Sequence, residues 1–154
     1  MGRHDREGGH VIRRALVAAL LAVACTALAQ DGARTYPVTL VRVVDGDTQK
    51  YSFDLGFGLR MERDVRLLCV NTPEVYGESR EAGLLAKAEA VNWLAVSAPL
   101  EAVLPPDAVD KYGRTLAVVR RGGAAPLLDR TSLNRYLIET GNAVEYLCPA
   151  GTVY

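Results

Sequence analysis

Tyr36-Pro37-Val38-Thr39-Leu40-Val41-Arg42-Val43-Val44-Asp45-Gly46-Asp47-Thr48 is a run rich in β-branched residues that stops at a turn signal. Asp-Gly favours a tight turn, and Gln49 to Phe53 resumes the extended pattern, so the whole stretch predicts a β-hairpin. Asp54 to Leu59 holds two glycines and reads as a loop. Val65 to Val70 is apolar on both alternating faces, which predicts a central strand covered from both sides, with Arg66 on the face of Leu68 and Val70. Further on, Leu84, Ala88, Val91 and Ala95 recur at helical spacing. They predict one long helix over Glu78 to Val96, N-capped by Ser79 and with Trp93 on the far side. Leu100 to Leu104 is a short strand stopped by Pro105-Pro106, and Leu116 to Arg120 is another, after the turn Asp110-Lys111-Tyr112-Gly113. A last helix runs from Ser132 as N-cap to Thr140, with Leu133, Tyr136 and Leu137 on one face and Gly141 as its stop. Five short strands, a long helix after the third and a short C-terminal helix describe a mainly β, α+β chain. A five-stranded Greek-key barrel of the OB type fits this order.

Before the hairpin lies a different kind of segment. Residues 1–14 are polar and carry Arg3, Arg6, Arg13 and Arg14; residues 15–28 are almost wholly apolar and end in Ala27-Leu28-Ala29. Small residues at that spacing suit signal peptidase, and the apolar run is shorter than the roughly 20 residues a membrane span needs. The expected organisation is a signal peptide over 1–29, a short polar lead over 30–36 and one OB-fold domain over 37–154. The destination is outside the cytoplasm, secreted or periplasmic. Membrane attachment is expected only if Cys25 is lipidated, and a twin-arginine route is hinted at by Arg13-Arg14 alone.

The leader changes the charge account. The whole chain of 154 residues has 18 basic and 18 acidic residues, and so no global excess of positive charge to attract a polyanion. Removing residues 1–29 takes away four Arg, one Asp, one Glu and both His, so 14 basic residues remain against 16 acidic ones. The mature chain then lacks histidine, which excludes imidazole as base, acid, nucleophile or metal ligand. Of the cysteines only Cys69 and Cys148 remain, too few for a zinc site. Either they form a disulfide, worth up to about 4.5 kcal/mol for so long a loop, or Cys69 is a small buried hydrophobe.

The polar residues that resist a bland reading sit at strand ends and turns. Asp45 and Asp47 alone are ordinary turn chemistry. Arg66, on a strand apolar on both faces, needs a partner or a wet cavity, because an unpaired buried charge is very costly. Glu74 follows Pro73 and is placed by a rigid turn. As a set they hold the parts for metal-assisted phosphodiester hydrolysis without histidine. Asp47 and Asn71 offer the oxygen ligands that a hard cation such as Ca2+ takes, together with a backbone carbonyl. Glu74 can act on a water. Arginines match phosphate oxygens with planar, two-pronged donors.

Val43-Val44-Asp45-Gly46-Asp47-Thr48, Val65-Arg66-Leu67-Leu68-Cys69-Val70-Asn71-Thr72-Pro73-Glu74, Asp110-Lys111-Tyr112-Gly113-Arg114 and the segment Asn134 to Gly141 resemble, in order and spacing, the thermonuclease (staphylococcal or micrococcal nuclease) family. The resemblance covers about residues 37–146. It implies an OB-fold and a secreted, Ca2+-dependent, sugar-nonspecific endonuclease that acts as a monomer on DNA and RNA, leaves 3′-phosphate ends and needs no stable protein partner. By position it implies metal binding by Asp47, Asn71 and the Thr72 carbonyl. Glu74 would act on the water, Arg66 and Arg114 would be the catalytic arginines, and Lys111, Tyr112 and Tyr146 would contact the nucleotide. Asn71 stands where the family has a metal-binding Asp, so weaker Ca2+ binding or another cation preference is expected. The family's terminal helix is missing here, which makes a Cys69–Cys148 disulfide attractive as compensation. The competing expectation is a catalytically silent OB-fold module that binds nucleic acid or protein, since the fold alone does not decide function.

Overall fold

The computed structural model describes residues 32–122 and 132–148; the signal peptide expected over 1–29, with Cys25, lies outside the described residues. The elements in chain order are β1 (Arg34–Val43), β2 (Thr48–Asp54), β3 (Arg60–Leu67), β4 (Val70–Asn71), a 3-10 turn (Gly77–Ser79), α1 (Arg80–Leu94), β5 (Leu100–Leu104), β6 (Thr115–Arg121), α2 (Leu133–Glu139) and β7 (Val144–Glu145). The first strand starts at Arg34, inside the expected polar lead.

Five strands close into a barrel in the order β1-β2-β3-β6-β5, while β4 and β7 form a separate two-stranded sheet. This is the expected OB-fold-like, α+β architecture, with the long helix after the third barrel strand. Closure depends on β1, which pairs with β5 along Arg34 to Val38 and with β2 from Val38 to Val43. Its register shifts between Leu40 and Arg42. A bulge of this kind bends a strand and raises its twist, which lets one strand serve two neighbours around a corner. The parallel contact that completes the circle joins β3 to β6 through Val65–Thr115, Arg66–Leu116 and Leu67–Ala117.

Two expectations need correction. The central strand does not run from Val65 to Val70. It begins earlier, at Arg60, where its exposed charged half pairs with β2 and places Asp64 near Lys50 and Arg60 near Asp54. It ends at Leu67, because Cys69 takes a left-handed φ of 62° and turns the chain out of the barrel. Val70 and Asn71 therefore belong to the second sheet, and Arg66 shares no continuous strand face with Leu68 and Val70.

The helix buries a different stripe from the expected one. Gly83, Ala86, Ala90, Trp93 and Leu94 face the core, whereas Leu84 and Val91 are each 43% exposed and Ala88 and Ala95 also face outward. The reason is distance. A Cβ on Gly83 would lie 2.2 Å from the carbonyl oxygen of Glu74, and a Cβ on Gly46 would lie 3.0 Å from the Cβ of Ala86. The helix seats itself by its smallest residues, and Trp93 fills the space near its end, with the Arg121 guanidinium 4.4 Å from its ring. Ser79 precedes the helix but makes no capping bond; its hydroxyl donates to the carbonyl of Glu74 at 3.3 Å.

The second helix matches expectation. Ser132 accepts from the N–H of Arg135 at 3.1 Å, Leu133 and Leu137 are fully buried, and Gly141 takes φ 74° just past the end. From its first turn the buried amide of Asn134 reaches into the barrel seam. It accepts from Val119 N–H at 3.0 Å and donates to the carbonyls of Leu68 at 2.9 Å and Ala117 at 3.2 Å. One side chain thus ties the end of β3 to β6.

Candidate functional site

Asp47 leaves the β1–β2 turn at the base of the site. The turn is closed by bonds from the N–H groups of Val44 and Asp45 to the carbonyl of Thr48, and Gln49 Nε2 holds the carbonyl of Gly46 at 3.0 Å. A Cβ at Gly46 would meet Thr72 Cγ2 at 2.7 Å, so glycine lets the turn press onto the segment after β4. In that position Asp47 Oδ2 accepts from the N–H of Thr72 at 2.7 Å and from its hydroxyl at 3.0 Å, and Oδ1 accepts from the Thr48 hydroxyl at 3.1 Å. Oδ1 also pairs with Arg66 Nη1.

The partner that Arg66 requires is therefore Asp47, with side-chain exposures of 13% for the arginine and 8% for the aspartate. Its other terminal nitrogen, Nη2, donates to Asn71 Oδ1 at 3.0 Å. Asp45 lies beside this network and accepts from the N–H of Asp47 at 3.2 Å. Burial, and then the neighbouring Asp47 charge, push its carboxyl up to about 6.

A second cluster is built by the turn before β6. Asp110 Oδ1 accepts from the N–H groups of Tyr112 and Arg114, both at 2.9 Å, while Oδ2 accepts from Arg114 Nε at 2.8 Å. Burial raises the Asp110 pKa, but these bonds and the Arg114 charge outweigh it, so the carboxyl sits below its ordinary value. Gly113, at φ 79°, closes the turn. Lys111 Nζ and the Arg114 guanidinium lie 4.9 and 5.4 Å from the exposed Tyr112 ring.

The third wall is covalently tied. Cys69 and Cys148 form a disulfide, which resolves the open choice between a bridge and a buried thiol, and Tyr146 N–H donates to the carbonyl of Cys69 at 3.0 Å.

These walls enclose a cavity of about 600 Å3 whose lining includes Arg66, Asn71, Glu74, Lys111, Tyr112, Arg114 and Tyr146. Most of the residues singled out in the sequence thus meet in one space. Asp47 and Thr72 do not line it; they stand behind Arg66 and Asn71, and Thr72 opens on a smaller cavity of about 200 Å3. Three contributors carried no assigned role in the sequence. Asp110, four residues before Arg114, orients that guanidinium. Tyr76, whose phenol is raised by a hydrogen bond to the Glu74 carboxylate, adjoins that side chain. Asn134 holds the seam beneath. Only Asp110 has a readable signal, the Asp to Arg spacing within a Gly turn.

For a metal ion, the donors near Asp47 are all oxygens: two carboxylates, the Asn71 amide and the Thr72 hydroxyl and carbonyl. In kind they fit a hard divalent cation. Among the described residues, no three of His, Cys, Asp and Glu converge into a ready cage. Asp47 Oδ1 is engaged by Arg66, so a cation at that oxygen shares or replaces the guanidinium. Comparison with known proteins found no family model and no curated sequence that matches the chain.

Proposed function

We propose that the chain is a divalent-cation-assisted endonuclease, Ca2+-dependent, that hydrolyses the phosphodiester bonds of DNA and/or RNA and leaves 3′-phosphate ends, as its thermonuclease-like motifs imply. The observation that carries this reading is the meeting around a single cavity of two guanidinium groups, the Glu74 carboxylate, the Asp110 carboxylate that holds one guanidinium, and exposed tyrosines. Glu74 takes a proton from an attacking water, whose oxygen bonds to phosphorus as the bond to the 5′ oxygen breaks, and that 5′ oxygen leaves as a hydroxyl with a proton from solvent. Arg66 and Arg114 hold the phosphate oxygens and offset the charge that grows there. Arg114 is held in place for this by Asp110. Lys111 adds a point charge, and Tyr112 and Tyr146 offer flat faces to neighbouring bases. When bound, a divalent cation at Asp47, Asn71 and Thr72 supplies neutralising charge to the phosphate.

Export through residues 1–29 belongs to the same proposal. The Cys69–Cys148 disulfide supports it, because such bonds persist in oxidising compartments. Among the described residues, no helix is long and apolar enough to cross a membrane.

The deciding experiment is a plasmid-nicking assay on the chain lacking residues 1–29. Wild type is expected to cut with Ca2+ and to stop with chelator, and Glu74→Gln to lose about 10² to 10⁴ in rate. Equal cutting by both proteins, or none with any divalent cation, rejects the reading. Oligonucleotide binding without cutting would leave a silent binding module.

A further inference from the structure

Glu74 is exposed, and a general base must nevertheless meet its water within hydrogen-bond reach. Something has to fix the backbone from which that carboxylate springs. Two contacts converge on its peptide carbonyl, one from the residue just before α1 and one from the helix's first turn: the Ser79 hydroxyl donates to it at 3.3 Å, and Gly83 lies so close that a Cβ there would stand 2.2 Å from that oxygen, 2.4 Å from its carbon and 2.8 Å from the carbonyl oxygen of Pro73.

Neither residue is explained by the helix itself. Gly in a helix interior costs about 1 kcal/mol relative to Ala, and Ser79 stands at an N-cap position without making the capping bond that favours serine there. Each makes sense against Glu74. Pro73 restricts the chain on one side of it, and α1, seated on the turn through Ala86 and Gly46, supplies a fixed floor on the other. Lifting the Glu74 peptide by a methyl group's width displaces the carboxylate by about 1 Å, a misplacement worth about 10²-fold in rate.

We propose that Ser79 and Gly83 are positioning residues for Glu74, holding its peptide so that the carboxylate meets the attacking water, an inference that rests on Glu74 acting on that water.

The test measures kcat and KM on a fluorescent single-stranded DNA oligonucleotide with Ca2+, alongside oligonucleotide affinity by anisotropy and thermal melting. Gly83→Ala is expected to lower kcat about 10²-fold with KM and affinity unchanged. Ser79→Ala is expected to lower kcat roughly threefold, and Ser79→Thr to restore it. If Gly83→Ala fails to fold, the Ser79 pair decides by the same criteria. The proposal is overturned if both Gly83→Ala and Ser79→Ala keep wild-type kcat, if the loss appears in KM and affinity instead, or if Ser79→Thr is no better than Ser79→Ala. If wild type cuts, Glu74→Gln does not, and the positioning variants cut like wild type, the positioning claim alone fails. If wild type does not cut, the functional reading fails and takes this inference with it.

Discussion

Asp47 and Arg66 neutralise one another with little water nearby, and breaking such a pair from one side leaves a charge stranded. Arg66→Met is expected to cost about 3 kcal/mol in urea unfolding. Because the substitution also frees Asp47 Oδ1, millimolar Ca2+ should recover part of that loss through mass action; an identical loss in Ca2+ and in chelator would remove Asp47 from the ligand set. Asp110 offers a pH test. Its folded pKa lies below the ordinary value of 3.8, so its stabilising contribution is complete above that value and is lost as pH falls through the folded one. The stability gap between wild type and Asp110→Asn should be full near neutral pH and shrink in acid below about pH 4, and a gap independent of pH would contradict the assigned bonds. That Arg66 needed a partner was legible in the sequence, since a guanidinium among apolar neighbours has few alternatives. Which partner it found was not, because Asp47 reaches it across the β2–β3 pairing rather than along the chain.

At the scale of elements, the two helices teach opposite lessons. In α2 the side chains that cap, stop and pack it are local, so Ser132, Gly141, Leu133 and Leu137 could be read directly. In α1 two stripes share the same helical period, and size favours the one with Leu84 and Val91. The buried stripe is the smaller one, because what packs there is the backbone of the 72–74 segment and of the β1–β2 turn, which no local pattern reveals. Leu84→Lys and Val91→Lys should each change stability by less than about 0.5 kcal/mol, while Ala90→Leu should cost about 1–3 kcal/mol by overpacking. Chemical denaturation of the three variants checks the assignment, and the reverse ranking would mean the helix is turned. The charged first half of β3 escaped the hydrophobic pattern for a related reason: its pairing with β2, not burial, keeps Arg60 to Asp64 extended.

For the whole molecule, a closed five-stranded barrel fitted the run of strands and helices without being singled out by it; the strand order comes from the structure, and the Cys69–Cys148 tie stood in the sequence as one of two alternatives. The Cys69–Cys148 bond spans a separation of 79 residues, so a Cys69→Ser/Cys148→Ser variant should lose up to about 4.5 kcal/mol, measured by urea unfolding of the two proteins side by side. A loss near zero would mean that packing alone holds the 146–148 segment. Charge makes a separate forecast. With acidic residues slightly in excess after residue 29, attraction to a polyanion should rest on Arg66, Lys111 and Arg114, and the slope of log affinity against log salt for single strands should be about −2; a much steeper slope would reveal contacts outside the cavity.

The same bridge closes residues 69–148 into a covalent ring, with a tail of chain on either side of it. β4, both helices, β5, β6 and β7 all lie between Cys69 and Cys148, along with Asn71, Glu74, Arg114 and Tyr146. A protease that severs one peptide bond anywhere in that ring releases no fragment: the two pieces stay joined through sulfur, and the molecule comes apart only when nicking and reduction coincide.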